Sequence, residues 1–171
     1  QAGDAPGSAD GGRQRVERGA DRGIAERVDR RRDSGGGGSL GKSGELFLGS
    51  GNDGKVFRVA GQKAALLYDS PELEVHALAV GPDGRVYAAT SPDGRVYAID
   101  DSGKASTFFD PEDKYIWDLA FDSKGNLWVA TGAAGRLHRV AKSGKAEGVF
   151  SSNEVHLTAL LVAGDDVYCG S

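Results

Sequence analysis

The side chains in this sequence that could do chemistry follow short acidic segments, which return at similar intervals along the chain. The acidic segments are residues 69–72, 110–113 and 151–154. An imidazole or indole ring comes soon after each one, and further carboxylates stand nearby. Such groups, gathered in one place, would bind a cation, a sugar or a peptide. The candidate ligand-binding residues are His76, Trp117, Asp118, His156, Glu74 and Glu154.

A second interpretation of these residues stays open at this point. The carboxylates would be solvated loop groups, and His76 and Trp117 would pack at the edge of a folded unit. No Ser–His–Asp set and no pair of catalytic carboxylates can be assembled from the sequence. The glycine-rich stretches are not phosphate loops, because no helix follows them. We therefore predict no catalytic residue and no metal site from the residues themselves.

Composition excludes several classes of protein. The chain has 171 residues, one Cys and a net charge of −4 at pH 7. One Cys excludes an intrachain disulfide framework, and the negative charge argues against a dedicated nucleic-acid partner. No apolar run approaches the ~18 residues of a membrane span, and nothing near Gln1 resembles the core of a signal peptide.

An internal repeat indicates which elements would position the candidate residues. Four segments align without gaps, their starts lie 40, 41 and 40 residues apart, and each reads apolar, aromatic, small or apolar, small, hydroxyl. A period of this length with four short strands is typical of β-propeller blades. The segments are residues 46–50, 86–90, 127–131 and 167–171.

The turns and the remaining alignments support the same fold class. Glycines at 54, 94 and 135 separate the second and third strands of a blade, and glycine supplies the positive φ of tight hairpins. The lone aromatic residue of each second and third strand is expected to pack between blades. His138 aligns with Phe57 and Tyr97, so we predict a packed ring there. Cys169 aligns with small or apolar residues, so we predict a buried side chain.

The repeat motifs resemble those of known propellers. Gly84-Arg85-Val86-Tyr87 and Gly125-Asn126-Leu127-Trp128, with Asp-Gly-Arg-Val-Tyr-Ala-Ile-Asp at residues 93–100, carry the resemblance. They are similar to bacterial β-propeller repeats of the NHL, SMP-30/gluconolactonase-like and two-component-regulator groups, and more distantly to WD40. The resemblance covers residues 44–171 and is specific for blade architecture.

Two regions of unlike composition define the predicted organisation. Residues 1–39 hold 8 of the 13 Arg and 10 of the 27 Gly but no aromatic residue, so we predict a disordered leader or linker. Residues 40–171 are predicted to be a partial, all-β propeller of about three blades. We count 13 strands, with the first blade starting at its second strand near Glu45. An open arc leaves blade faces uncovered, so we expect a fragment of a longer propeller, whose own remaining blades are its partners, or self-association.

Two functions follow as expectations. The first is a non-catalytic binding or scaffold module that takes a protein or small-molecule ligand at the mouth of the propeller channel, without a cofactor. The resemblance to SMP-30-like propellers implies the alternative, a lactonase or lyase with a divalent cation such as Ca²⁺ in the channel. Asp118 is the one acidic residue placed convincingly inside a first strand, and a single carboxylate is not a metal site. The localisation is not readable from the sequence, and an extracytoplasmic bacterial setting stands only as an expectation.

Overall fold

The computed structural model describes residues 37–171, and every regular element in that range is a β-strand. No helix in this part of the chain is long and apolar enough to cross a membrane. The strands are β1 (Gly38–Leu40), β2 (Leu46–Gly49), β3 (Lys55–Ala60), β4 (Lys63–Asp69), β5 (Glu74–Val80), β6 (Val86–Ser91), β7 (Val96–Ile99), β8 (Ala105–Phe109), β9 (Ile116–Phe121), β10 (Leu127–Thr131), β11 (Arg136–Val140), β12 (Ala146–Ser151), β13 (Ala159–Ala163) and β14 (Asp166–Gly170).

The strands form three antiparallel blades and a final hairpin. The first blade is β1–β4, the second β5–β8 and the third β9–β12, each with its strands in chain order, and β13 pairs with β14. Contacts between sheets run through the first strands, since β1 contacts β5, β5 contacts β9 and β9 contacts β13. First strands side by side and later strands radiating outward make an incomplete β-propeller, which confirms the predicted fold class.

The first blade has a strand that the sequence analysis missed. β1 pairs with β2, with Gly38 opposite Leu48, so the first blade has four strands rather than three. A Cβ at Gly37 would lie 2.6 Å from the Cα of Ala77, so the chain enters against the backbone of the second blade. Glycine permits this close approach. A strand held by backbone hydrogen bonds needs no alternation of apolar residues, so the sequence shows no pattern that would reveal β1. Gly37 to Ser39, which the sequence analysis assigned to the leader, therefore belong to the folded part of the chain. The rest of the predicted leader lies outside the described residues.

The hydrophobic core lies between the blades. Phe47 and Val56 of the first blade pack with Val75 and Leu78 of the second. Similar clusters join the second blade to the third, and the third to the final hairpin. The aromatic residues of the second strands, Phe47, Tyr87 and Trp128, are buried in these clusters as predicted. Each blade therefore buries apolar side chains against its neighbours.

The repeat alignment predicted that His138 and Cys169 are both packed side chains, and the structure confirms only the first. His138 is a packed ring, as predicted, and lies edge-on to Phe109 with ring centroids 5.4 Å apart. The prediction for Cys169 is wrong, because its side chain is exposed. The physical reason is its strand, β14, which pairs with β13 alone, whereas the equivalent β6 and β10 are covered on both sides.

Candidate functional site

β-bulges in the first strands position the predicted rings. In the second blade, Val75 pairs with Thr90 and Ala77 with Ala89, so the register skips His76. In the third blade, Ile116 pairs with Thr131 and Asp118 with Ala130, so the register skips Trp117. A bulge leaves one residue unpaired and turns its side chain away from the regular alternation. Both predicted rings therefore leave the sheet at equivalent points of successive blades.

Four side chains from successive blades form a continuous group that we call the ring row: His76, Tyr115, Trp117 and His156. The centroids of His76 and Trp117 are 4.9 Å apart, and those of Trp117 and His156 are 5.6 Å apart at 87°. Tyr115 stacks on Trp117 at 5.9 Å with an interplanar angle of 15°. These tilted, edge-on and offset arrangements are the favourable ones for aromatic rings.

Polar contacts hold His76 on one side of the ring row. Its Nε2 lies 2.8 Å from the Oγ of Ser91 and 3.1 Å from an oxygen of Glu74, and the Ser91 hydroxyl donates to that same oxygen over 3.1 Å. Burial lowers the pKa of His76 below its ordinary value, although Glu74 opposes the shift. The imidazole is therefore neutral near pH 7.

This group is not a nucleophilic triad. A triad needs the serine on one ring nitrogen and the carboxylate on the other. Here Ser91 and Glu74 both contact the Nε2 of His76. Ser91 is also only 2% exposed, which closes it to a substrate. The contacts of His76 fix the ring's position and supply no activated nucleophile.

A direct hydrogen bond joins the other end of the ring row. The indole Nε1–H of Trp117 donates to the Nδ1 of His156 over 3.2 Å. An indole donates only, so the Nδ1 of His156 is unprotonated and its Nε2 carries the hydrogen of the neutral ring. A Cβ at Gly132 would lie 2.6 Å from the indole nitrogen and 2.7 Å from this Nδ1. The bond therefore needs glycine at position 132.

Sequence reasoning missed three residues of this site. Ser91 and Gly132 each follow the hydroxyl residue that ends the repeated motif of a second strand, Thr90 and Thr131. That shared position was the available signal, and it was not used. Tyr115 gave no signal in the sequence. It follows the acidic segment 110–113, and its positive φ of 67° is visible only in the folded backbone.

Asp118 has a structural environment that the sequence did not indicate. One carboxylate oxygen accepts from the amide of Leu119 at 2.8 Å, and the other accepts from the amide of Leu160 at 2.7 Å. The second bond joins β9 to β13 of the final hairpin. Both oxygens of this carboxylate are therefore engaged with backbone amides.

Two of the acidic loops contribute buried carboxylates to ion pairs with arginines. Glu72 is buried and pairs with Arg95 at 3.1 Å, and Asp113 is buried and pairs with Arg136 at 3.3 Å. Glu154 occupies the equivalent place before the final hairpin and is exposed. The structure thus brings Glu74, His76, Trp117 and His156 into contact, whereas Asp118 binds backbone amides and Glu154 is exposed.

The described residues offer no ligand set for a metal ion. Within residues 37–171, no group of three His, Cys, Asp or Glu side chains is placed to hold one. Glu74 and His76 are a pair without a third ligand of that kind.

Comparison with solved structures gives the same architecture. Virginiamycin B lyase from Staphylococcus aureus superposes with a TM-score of 0.69 at 18% identity, covering 81% of this chain and 49% of that one. A luciferin-regenerating enzyme gives 0.62 at 21% identity, with 77% and 52% covered. The calcium-binding protein regucalcin from Agrobacterium tumefaciens gives 0.57 at 20% identity, with 72% and 47% covered. The chain therefore spans about half the length of these structures, which share its fold.

The sequence comparisons define the family. No curated protein sequence matches the chain significantly. The family model described as the SMP-30/gluconolactonase/LRE-like region matches residues 26–168, which is most of the 171-residue chain. Together with the blade architecture, this match shows that the chain belongs to the SMP-30/gluconolactonase/LRE-like family.

Proposed function

We propose that this chain is a binding module of an SMP-30-like propeller and takes a small organic molecule at the ring row. The observation that carries the proposal is the contact of rings from three successive units, His76, Trp117 and His156, at the starts of neighbouring first strands. Rings that converge from separate blades in this way give a rigid platform of fixed shape.

The exposed atoms of the ring row define the chemistry of the ligand. Tyr115 is 37% exposed and offers part of a ring, while Trp117 lies between Tyr115 and His76. His156 is exposed, and its Nε2–H is a free donor as long as Nδ1 accepts from Trp117. A ligand with a flat or apolar part and a carbonyl oxygen would satisfy both groups.

Two structural neighbours suggest the chemical classes of the probes. One structural neighbour is a virginiamycin B lyase solved with quinupristin, and another is a putative gluconolactonase. We therefore choose quinupristin and glucono-δ-lactone, each added alone to the full chain. The two tryptophan indole N–H signals are followed by NMR. We expect the Trp117 signal to shift saturably with at least one probe, and the buried Trp128 signal to stay in place.

A pair of glycine variants provides the matched control. Gly132→Ala places a methyl group against Trp117 and His156, whereas a Cβ at Gly148 meets nothing within 4 Å. We expect Gly132→Ala to abolish the shift and Gly148→Ala to preserve it. A Trp117 signal that neither probe moves, or one that Gly132→Ala leaves responsive, would contradict the proposal.

An enzyme of the lactonase or lyase type is the second candidate. A neutral imidazole is a general acid or base near pH 7, and His76 is held in that state by burial. One neighbour is a histidine-to-alanine variant of virginiamycin B lyase described as catalytically inactive. Hydrolysis of glucono-δ-lactone, followed by acid release with and without Ca²⁺, tests this candidate. Turnover that His76→Gln abolishes would favour the enzyme over the binding module.

A further inference from the structure

We propose that the ring row selects a small molecule that carries a positively charged ammonium group, and that the carboxylate of Glu74 is its counter-ion. The site is the one of the proposed function, on which this assignment rests, and the charge of the ligand is what is added. The site combines the rings of Tyr115 and Trp117, the imidazole of His76 and a carboxylate in contact with that imidazole. Aromatic faces attract ammonium ions through the negative potential above the ring.

The hydrogen-bond donors of the two central rings are already engaged. The indole Nε1–H of Trp117, its only donor, is taken by the Nδ1 of His156. The Ser91 hydroxyl donates its one hydrogen to Glu74, so at 2.8 Å it accepts from the Nε2–H of His76. A neutral imidazole has no second N–H. Trp117 and His76 therefore have no donor left for an anionic group, whereas their π-faces favour a cation.

Glu74 supplies a negative charge that the chain does not neutralise. Its Oε2 accepts from Ser91 and lies 3.1 Å from the Nε2 of His76, whereas its Oε1 has no partner among residues 37–171. Within the same range no lysine or arginine pairs with this carboxylate, and its side chain is 39% exposed. The carboxylates of Glu72 and Asp113, by contrast, are buried against arginines. A fixed and uncompensated carboxylate beside aromatic rings is suited to a charge-assisted contact with an ammonium group.

The exposed groups of the site belong to four-stranded blades that have neighbours on both sides. Glu74 is the first residue of β5 in the second blade, and Tyr115 directly precedes β9 in the third. β5 contacts the first strands β1 and β9, and β9 contacts β5 and β13. The exposure of Glu74 and Tyr115 is therefore a property of interior blades.

The backbone holds Tyr115 in an unusual conformation at this site. Its φ is 67°, a region that large residues rarely adopt. The carbonyl of Tyr115 accepts from the amide of Gly132 over 2.7 Å, and its ring stacks on Trp117. Residues held in such conformations cluster at sites that bind ligands, where the surrounding contacts fix them in place. The exposed part of the Tyr115 ring is thus presented at a fixed position beside Trp117.

The test compares choline with its uncharged isostere dimethylbutanol, in which a carbon atom replaces the nitrogen. Each compound is titrated alone into the full chain at constant ionic strength, and the indole N–H signal of Trp117 is followed by NMR. We expect choline to shift this signal saturably, with a dissociation constant about tenfold lower than that of dimethylbutanol, because only choline gains from the ring faces and the carboxylate. The signal of the buried Trp128 should stay in place.

Two charge-matched variants locate the counter-ion. Glu74→Gln removes the charge and keeps a side-chain oxygen that accepts from Ser91, so it should weaken choline about fivefold and leave dimethylbutanol unchanged. Glu45→Gln removes the same charge directly before β2, at the turn from β1 and thus at the other end of a blade, and should leave choline unchanged. Tyr115→Leu keeps an apolar side chain without a ring and should also weaken choline more than dimethylbutanol. It provides a second measurement if Glu74→Gln does not fold.

The outcomes separate the charge of the ligand from the existence of the site. Equal affinities for the two compounds, no response of Trp117 to choline, or choline binding indifferent to Glu74→Gln would overturn the ammonium assignment. The ring row would then stand as a binding site only if quinupristin or glucono-δ-lactone still moved the Trp117 signal. A Trp117 signal that none of the four compounds moves would overturn the assignment and the proposed function together.

Discussion

At the scale of single residues, the ring row depends on where two bulges fall. The sequence placed Glu74, His76, Trp117 and His156 after acidic loops at similar repeat positions, and the structure brings these side chains into contact. Nothing in the sequence indicated the bulges, since an unpaired residue is a property of two strands in register rather than of one strand. Nor did the sequence separate Asp118 from the rings, because the partner amide of Leu160 is 42 residues away in sequence.

The first prediction concerns the protonation of His76. Its pKa in the folded chain lies below the value of about 6.5 in an unfolded chain, mainly through burial. The folded state therefore binds fewer protons than the unfolded state as pH falls through this range, so the contribution of His76 to stability is present above about pH 6.5 and is lost below it. The imidazole titration should show the low pKa directly by NMR.

The variant His76→Gln isolates this effect from the carboxylates of the chain. Melting temperatures are compared between pH 8 and pH 5.5, and the parent chain should lose more stability on acidification than the variant does. A His76 that titrates at or above about 6.5, or equal acid sensitivity of the two chains, would show that burial does not control this ring.

At the scale of elements, the blade hairpins repeat both their backbone and their packing. The register between third and fourth strands shifts at the same repeat position in all three blades, after Val56, Val96 and Leu137. Glycine follows a turn signal in each blade, which is why hairpins and strands were predictable from sequence. Gly54, Gly94 and Gly135 lie close to the backbone carbonyl of a residue that precedes the next blade. This approach was not predictable, because it involves the backbone of a residue distant in sequence.

Two glycines with similar φ values allow the free-energy cost of backbone strain to be measured apart from the cost of disturbing the packing between blades. Gly84 has φ 84° and a Cβ there would meet nothing within 4 Å, whereas Gly94 has φ 76° and a Cβ there would lie 2.0 Å from the carbonyl oxygen of Asp113. We expect Gly84→Ala to cost about 1–2 kcal/mol through backbone strain alone. Gly94→Ala should cost roughly 3 kcal/mol or more, since the contact between blades must also open.

Denaturant unfolding of the two variants measures the difference. The slope of the unfolding free energy against denaturant should match the parent chain for Gly84→Ala, so that midpoints can be compared directly. Equal destabilisation by the two substitutions would mean that the close approach of Gly94 to Asp113 adds nothing to the cost of placing a Cβ there.

At the scale of the whole molecule, stability resides in contacts between blades. The three core clusters each join neighbouring units, and Asp118 adds a polar bridge from β9 to Leu160 in β13. An aspartate has two oxygens for its two amide donors, whereas asparagine has one. Asp118→Asn therefore leaves one backbone amide without its partner, at a cost of about 1–3 kcal/mol.

Hydrogen exchange locates the loss. The amide of Leu160 should exchange about tenfold or more faster in Asp118→Asn, because 1.4 kcal/mol corresponds to a factor of ten. Asp101→Asn is the control, since Asp101 pairs with Arg58 while its own side chain is 89% exposed, and such surface pairs contribute little. Unchanged protection of Leu160 would remove Asp118 from the coupling of β9 to β13.

The sequence by itself determined the propeller class, the period of 40–41 residues, the hairpins and the inward aromatic residues, because each follows from local alternation and turn chemistry repeated along the chain. Tertiary structure decided the rest. It recruited Gly38–Leu40 as a strand, exposed Cys169, aligned the rings, and engaged Asp118 and the buried acids with distant partners. These features arise where separate blades meet, and a repeat read along one chain carries no information on which atoms face each other across that boundary.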